Sequence, residues 1–341
     1  MRLFRTLRRL VLLLVILAIG LLFDGYRQLH APLRVEAWQT IEITPGDTLG
    51  GVLGELQARH WLPSERAAPY LKLYARWQGF GGRIRSGEYG IDPGKNLLGA
   101  LKLFMSGNTI VHELRLVEGW TFAQALQAIR ANAMIRQTLA DATAAQIMTA
   151  LGMPGLDPEG RFFPDTYRFP KDTSDLTLLR QAFATMQKAL ADEWAQRAPD
   201  LPYASADEAL TMASIIEKET GASAERPQIA GVFVRRLRLG MRLQTDPTVI
   251  YGLGTAFDGN LRLNDLRTDG PYNTYLRGGL PPTPICLPGR ASLHAALHPD
   301  DGKALFFVSK GDGTHVFSET LEQHEAAVRR YQLRKSGPKG P

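Results

Sequence analysis

The sequence Ala-Ser-Ile-Ile-Glu-Lys-Glu-Thr-Gly at residues 213–221 decides the fold around it, because it has the apolar spacing of a helix that ends in acidic residues. Ser205, followed three residues later by Glu208, is typical of a capping box and predicts that the helix starts near Ala206. Gly221 predicts its end. We therefore expect the stretch to be the last part of a helix inside a larger domain.

Glu217 is predicted to point inward from this helix. At helical spacing it shares one face with apolar or small residues, namely Leu210, Ala213 and Ser214. Glu219 lies about 200° further round the helix by the 3.6-residue period, so we expect it to face water.

A carboxyl group in a partly apolar pocket has a raised pKa, because burial disfavours its charged form. Glu217 could then hold a proton near neutral pH and act as a general acid. The alternative interpretation is a buried structural glutamate that is paired with a nearby arginine, because buried ion pairs also perturb pKa values. The position on the helix leaves both interpretations open.

The amino terminus predicts a membrane anchor. Residues 10–23 are an uninterrupted apolar run behind several arginines, and no acidic residue occurs before Asp24. Positive charge stays on the cytoplasmic side, so we expect a cytoplasmic stub at residues 1–9, a single-pass inner-membrane anchor at 10–26 and a periplasmic remainder. A cleaved signal peptide is the alternative, but residues 24–27 lack a small-x-small cleavage site.

Composition argues against several functional classes. The net charge is +6, but nine of the 40 basic residues lie in residues 1–9 and 329–341, which leaves 31 against 34 acidic residues in the body. A nearly neutral body argues against a nucleic-acid binder. The single cysteine, Cys286, excludes an internal disulfide, and the seven histidines lack zinc-protease spacing. We therefore expect no metal and no cofactor.

Residues 38–118 are predicted to form a small α/β module after a linker at 27–37. Ile41 and Ile43 alternate as in a strand, and a Pro-Gly turn precedes a helix capped by Asp47 or Thr48. The sequence Pro-Gly-Asp-Thr-Leu at residues 45–49 resembles the opening of LysM modules, which bind glycan chains of N-acetylated sugars. The alternative is a generic α/β spacer.

Residues 119–335 are predicted to form a larger domain of helices and strands, which makes the whole chain α+β. Its predicted elements are helices at 121–131, 140–151, 176–197 and 319–333 and a hairpin at 305–317. Residues 241–298 are rich in glycine and proline and lack a clear period, which predicts a long irregular segment with a function. Residues 336–341 are predicted to be a disordered tail.

Several motifs together resemble one family, the endolytic murein transglycosylases, also called YceG-like proteins. The motifs are Glu-Gly-x-x-x-Pro-Asp-Thr-Tyr at 159–167, Ala-Ser-Ile-Ile-Glu-Lys-Glu-Thr at 213–220, Met-Arg-Leu-Gln-Thr-Asp-Pro-Thr-Val-Ile-Tyr-Gly at 241–252, Tyr-Asn-Thr-Tyr at 272–275 and Gly-Leu-Pro-Pro-x-Pro-Ile at 279–285. The resemblance spans nearly the whole chain. It implies an inner-membrane anchor, a periplasmic catalytic domain and cleavage within nascent peptidoglycan strands.

The resemblance also implies the reaction and assigns its acid to Glu217. A lytic transglycosylase protonates the oxygen between N-acetylmuramic acid (MurNAc) and N-acetylglucosamine (GlcNAc). The same carboxylate then takes a proton from the muramoyl C6 hydroxyl, which attacks its own C1 and closes a 1,6-anhydro ring. One carboxyl group is enough, whereas a hydrolytic glycosidase usually needs two.

Further residues in these motifs are candidate substrate contacts: Gln244, Asp246, Tyr272, Asn273, Tyr275 and Glu159. Gln244 could hydrogen-bond Glu217 or an N-acetyl group. Asp246 precedes a proline, which predicts an extended backbone there. The two tyrosines offer faces for sugar stacking and Asn273 offers an amide, although aromatic residues in loops often only pack.

Two other functions remain open. One is a hydrolytic muramidase in which Asp246 is a second catalytic carboxylate. The other is a scaffold without catalysis that binds peptidoglycan through the LysM-like module. The expected partners are peptidoglycan strands and the inner membrane, with peptidoglycan synthases as further candidates.

Overall fold

The computed structural model describes residues 2–80 and 82–333, and the predicted tail at 336–341 lies outside them. The chain divides into two compact units, the first formed by Met1–His112 with Arg168–Lys171 and the second by Glu113–Tyr167 with Asp172–Pro341. Helices and short strands occur in both units, so the mixed helix and strand class is confirmed.

The first unit begins with the long helix α1, Arg2–His30, whose apolar side chains between residues 10 and 23 are exposed. Its segment Phe4–His30 is long and apolar enough to cross a membrane, although a signal sequence would meet the same criteria. The predicted linker from residue 27 is wrong at its start, because the helix continues to His30. Leu29 is buried in the core of this unit, and Asp24 pairs with Arg66 at 2.9 Å.

The rest of the first unit packs helices against a two-stranded antiparallel sheet. Thr48 caps its first short helix by accepting a hydrogen bond from the Gly51 N–H. In the sheet Ile41 faces Tyr89, and both are fully buried. The helix at residues 97–106 was not predicted from the sequence. The elements are β1 Gln39–Ile43, α2 Leu49–Ala58, α3 Ala67–Trp77, β2 Gly87–Ile91 and α4 Leu97–Ser106.

Strand β3, Val111–Arg115, follows and pairs with β5, Thr166–Pro170. The other elements up to residue 238 are α5 Phe122–Ala131, β4 Ile135–Arg136, α6 Ala144–Ala150, β6 Thr173–Ser174, α7 Asp175–Ala195, α8 Ala206–Glu219 and α9 Arg226–Arg238. The predicted helix start at Ala206 is confirmed. The Ser205 side chain accepts from the Glu208 N–H, while the Glu208 side chain accepts from Ala204.

The segment 241–298 is not irregular throughout, so that prediction is wrong. It contains the helices α10 Asp246–Leu253, α11 Leu263–Arg267 and α12 Arg290–Leu297. Helices of five to eight residues are too short to show a helical period in sequence. The chain then forms the antiparallel hairpin β7 Phe306–Ser309 and β8 His315–Ser318, and the last helix is α13 Leu321–Tyr331.

Helix α8 lies at the centre of the second unit and packs against α7, α9, α10 and α12. All of its residues from Ala209 to Ile216 are buried. The helix therefore has no water-facing side over these turns, in contrast to the amphipathic helix that its sequence predicts.

Candidate active site

Glu217 lies in the last turn of α8, and only 6% of its side chain is exposed. Its Oε1 accepts a hydrogen bond from the Arg226 guanidinium at 3.2 Å, and its Oε2 accepts from the Gly289 backbone N–H at 2.9 Å. Arg226 is the first residue of α9 and Gly289 is the N-cap of α12. Three helix ends therefore hold this one carboxyl group.

The arginine pairing that the alternative interpretation anticipated is present, but it does not use up the carboxyl group. A carboxylate offers about four lone-pair positions. The described contacts from Arg226 and Gly289 engage one position on each oxygen. Each oxygen of Glu217 therefore keeps a position for a proton or a substrate hydroxyl.

Glu118 brings a second carboxyl group to the same place. A β-carbon at Gly289 would lie 1.9 Å from Glu118 Oε1, so this glutamate sits directly against the residue that binds Glu217. Partial burial, and then the charge of Glu217, raise the pKa of Glu118, although the residue as a whole is exposed. The charge of Glu217 thus acts on Glu118 at an edge that solvent reaches.

The backbone around Glu118 is fixed by hydrogen bonds to the segment before Gly289. The Gly119 N–H donates to the Leu287 carbonyl at 2.9 Å, and the Leu287 N–H donates to the Trp120 carbonyl at 2.7 Å. Lys218, next to Glu217, donates from Nζ to the Gly119 carbonyl at 3.3 Å. These hydrogen bonds therefore hold the backbone next to Glu118 close to the segment before Gly289 and to the end of α8.

Glu219 does not face water, so that prediction is wrong. It is half-buried and accepts a hydrogen bond from the Thr245 hydroxyl, and burial raises its pKa to about 7. The side of α8 that was expected to meet water is covered by protein. The two glutamates therefore enter different environments on different sides of the same helix end.

Three of the predicted substrate residues gather around Glu219 instead of Glu217. Gln244, Asp246 and Tyr275 line the same cavity as Glu219, which has a volume of about 450 Å³. No hydrogen bond from Gln244 to Glu217 occurs among the residues that the structure describes. Gln244 has a φ of 52°, and its N–H donates to the Thr274 carbonyl at 3.1 Å.

The position of Asp246 before a proline predicted an extended backbone. This prediction is wrong, because Asp246 is the first residue of α10. A proline is compatible with the first turn of a helix, and this compatibility prevails here over the extended preference of the residue before it. The Tyr275 hydroxyl donates to Asp246 Oδ1 at 2.6 Å.

Glu159 and Tyr272 lie in a separate cluster, in which Glu159 is buried and Tyr272 is half-buried. Glu159 is 5% exposed and accepts from the Phe122 N–H at 2.9 Å and from the Tyr251 hydroxyl at 3.0 Å. The rings of Tyr251 and Tyr272 meet edge to face at 4.9 Å, and Tyr272 hydrogen-bonds Thr283 at 2.8 Å. This cluster joins the start of α5 to α10 and the loop after it.

Asn273 braces the backbone. It is 4% exposed, and its amide nitrogen donates to the carbonyls of Asp265, Leu266 and Thr268 at the end of α11. Its Oδ1 accepts from the Tyr275 N–H at 3.0 Å. Because both the nitrogen and the oxygen of the amide already have protein partners, a contact with an N-acetyl group would have to replace some of these hydrogen bonds.

The model of the YceG-like family matches residues 41–330, which include Glu118, Glu217 and Gly289. The chain belongs to the YceG-like family. The family predicted from the motifs is therefore confirmed.

The relatives of this YceG-like chain match its sequence over different lengths. The endolytic murein transglycosylase of Bacillus subtilis is 31% identical over 334 residues, which cover 92% of this chain and 91% of that protein. That of Streptococcus pneumoniae is 30% identical over 177 residues, which cover 50% of this chain and 31% of that protein. A crystal structure of a yceG-like protein from Listeria monocytogenes is 28% identical, with a TM-score of 0.52, and covers 86% of this chain and 100% of that one.

Sequence reasoning about this YceG-like chain missed Glu118 and Gly289. Neither residue lies in the motifs that pointed to the site. One local signal was available, because Thr121 and Gln124 form a capping box that starts α5 directly after Glu118-Gly119. A helix start next to an acidic residue and a glycine would have indicated a turn that presents a carboxyl group.

Proposed function

We propose that this YceG-like protein is an endolytic lytic transglycosylase that cleaves the MurNAc–GlcNAc bond within peptidoglycan strands, with Glu217 as its acid and base. The choice of Glu217 rests on one observation. Glu217 is a nearly buried carboxyl group that is held by Arg226 and Gly289 and lies at an edge shared with the exposed Glu118. The curated relatives over half or more of the chain are endolytic murein transglycosylases.

In the first step the protonated Glu217 gives its proton to the bridging oxygen, and the bond from that oxygen to C1 of MurNAc breaks. In the second step the Glu217 carboxylate takes the proton of the C6 hydroxyl, and the C6 oxygen bonds to C1. The acid is regenerated, and no water enters the product. Arg226 and Gly289 keep the carboxyl group in one orientation through both steps.

Glu118 is a positioning residue in this proposal. Burial, and then the charge of Glu217, raise the pKa of its carboxyl group. Its contact with Gly289 places it to hold the backbone N–H that binds Glu217.

A hydrolytic muramidase is the second candidate, and Glu118 supports it better than Asp246 does. A hydrolase needs two carboxyl groups that face each other across the bond. Asp246 lines the cavity of Glu219, whereas Glu118 lies beside the Gly289 that binds Glu217. The second carboxylate of a hydrolase would therefore be Glu118.

Product analysis separates the two functions. The full-length protein in detergent would digest purified sacculi in heavy-oxygen water, and mass spectrometry would determine the new ends. We expect 1,6-anhydro ends without label. Reducing ends labelled at C1 would establish hydrolysis, and intact strands would support the scaffold function.

The finer assignments are part of the same proposal. Residues 10–26 are an inner-membrane anchor with a cytoplasmic amino terminus, and the remainder is periplasmic. Residues 38–118 are a LysM-like module, a role supported by the Pro-Gly-Asp-Thr-Leu turn, in which Asp47 accepts hydrogen bonds from the Thr44 backbone and hydroxyl. Residues 119–335 are the catalytic domain, and peptidoglycan synthases are candidate partners.

A further inference from the structure

A cluster of two histidines and one glutamate lies at the end of α12 opposite to Gly289. His294 is in the last turn of α12 and His298 is its C-cap, while Glu193 comes from the last turn of α7. One nitrogen of each ring and one oxygen of the carboxylate lie within 4.8 Å of one another. His294 Nδ1 is 2.9 Å from Glu193 Oε2.

The geometry suits a transition-metal ion. Two histidines four residues apart lie on the same side of a helix and present their nitrogens together. Here the two rings are stacked with their centroids 4.3 Å apart. Two imidazoles and one carboxylate form a ligand set that zinc accepts, with a water molecule in the fourth position.

Packing does not require His294, whereas His298 is half-buried. The side chain of His294 is 58% exposed, so its ring contributes little to a core, whereas Glu193 is only 14% exposed and thus held in place. The competing cation is Arg290, which lies 3.7 Å from Glu193 Oε1. Because Glu193 turns its other oxygen to His294, a metal ion would replace that hydrogen bond and leave the arginine contact.

We propose that Glu193, His294 and His298 bind one zinc ion that joins α7 to α12. The site is separate from the reacting carboxyl group, so the ion takes no part in bond cleavage. It does fix the far end of the helix whose N-cap, Gly289, donates to Glu217. The sequence did not indicate this cluster, because Glu193 is distant in sequence from the two histidines.

Zinc titration of the tag-free, full-length protein in detergent tests the proposal. Calorimetry with zinc chloride should give one site per chain, and zinc should raise the thermal midpoint. His294→Gln and His298→Gln should each weaken binding at least about tenfold and abolish the rise in the midpoint. Circular dichroism of the zinc-free variants identifies any that fail to fold.

Glu193→Gln provides a second variant, because glutamine can keep the contact with His294 but is a poor zinc ligand. His60→Asn is the control, since His60 is exposed, lies in the first unit and has a φ of 59°, which asparagine tolerates. This control should bind zinc like the wild type. Absence of saturable binding in the wild type, or equal affinity in the folded cluster variants, would overturn the proposal.

Discussion

Gly289 leaves room for the Glu118 side chain, since a β-carbon on residue 289 would lie 1.9 Å from Glu118 Oε1. Real β-carbons do not approach an oxygen so closely, so any other residue at 289 has to move the glutamate or the start of α12. The same glycine binds Glu217 through its backbone N–H. Its missing side chain therefore allows two carboxyl groups to approach one backbone segment.

Gly289→Ala should reduce glycan cleavage about as much as Glu118→Gln does, because its β-carbon displaces the Glu118 side chain. The rate of anhydro-end formation from purified sacculi measures the loss. Gly221→Ala is the matched control, because a β-carbon there has nothing within 4 Å. Equal activity of the two variants would show that the Glu118 contact does not matter for the reaction.

Glu217→Gln should reduce activity by at least about 100-fold while the protein stays folded, because general acid–base groups contribute roughly 10²- to 10⁴-fold. Glutamine can still accept from Gly289, but it cannot supply or take the proton. Glu219→Gln, at the neighbouring cavity, should lose less. If Glu219→Gln were the more damaging change, the reacting acid would have been assigned to the wrong side of α8.

Glu118→Gln and Asp246→Asn should both slow the reaction and leave its products unchanged. Glu118 acts through Glu217, and Asp246 is bound by Tyr275 beside Glu219. Every new end should remain 1,6-anhydro and free of label from heavy-oxygen water. Wild-type activity of Glu118→Gln would contradict its positioning role.

Glu159→Gln should make the stability less dependent on pH. Burial raises the pKa of Glu159 to about 7 from the ordinary value of 4.5. The unfolded chain therefore releases this proton at lower pH than the folded chain, and the free energy of unfolding falls as the pH rises from about 4.5 to about 7. One such group accounts for about 3 kcal/mol.

Thermal melts of Glu159→Gln and the wild type between about pH 5 and pH 8 measure this contribution. Glutamine can still accept from Phe122 and cannot ionise. The midpoint of the variant should decline less than that of the wild type over this range. Parallel curves would mean that Glu159 is already ionised in the folded protein throughout the range.

The protein isolated from membranes should begin at or near Met1, because arginines precede the apolar run and no small-x-small site follows it. Sequencing of the amino terminus by mass spectrometry decides this. A mature chain that begins near Asp24 or Tyr26 would instead identify the run as a signal peptide.

Local signals explain which parts of the fold could be predicted. Ser205 determines the start of α8 within a few residues, so that helix was found from sequence. Helix α12 was not predicted, because it is short and its N-cap is a glycine without a side-chain hydrogen bond. A helical period becomes visible only over several turns.

The site was predicted less completely, because its members come together only in the folded chain. Glu217 stands in a recognisable motif, but Glu118 comes near it because its neighbours Gly119 and Trp120 pair with the Leu287 backbone, which no pattern in the sequence indicates. Glu219 was misplaced for a related reason. Its own helix predicts its direction, but only the neighbouring chain at Thr245 determines whether water or protein lies there.

Helix α1 has a mechanical consequence for the first unit. It runs unbroken from Arg2 to His30, and it packs so closely on α3 that a β-carbon at Gly25 would lie 2.9 Å from the Tyr70 ring. If its apolar part lies in the bilayer, the first unit is connected to the membrane by one continuous helix. A helix rises about 1.5 Å and turns about 100° per residue, so each residue inserted near Asp24 would both lift and rotate the unit. With α1 in the bilayer, the length of this helix would set the height of the first unit above the lipid surface.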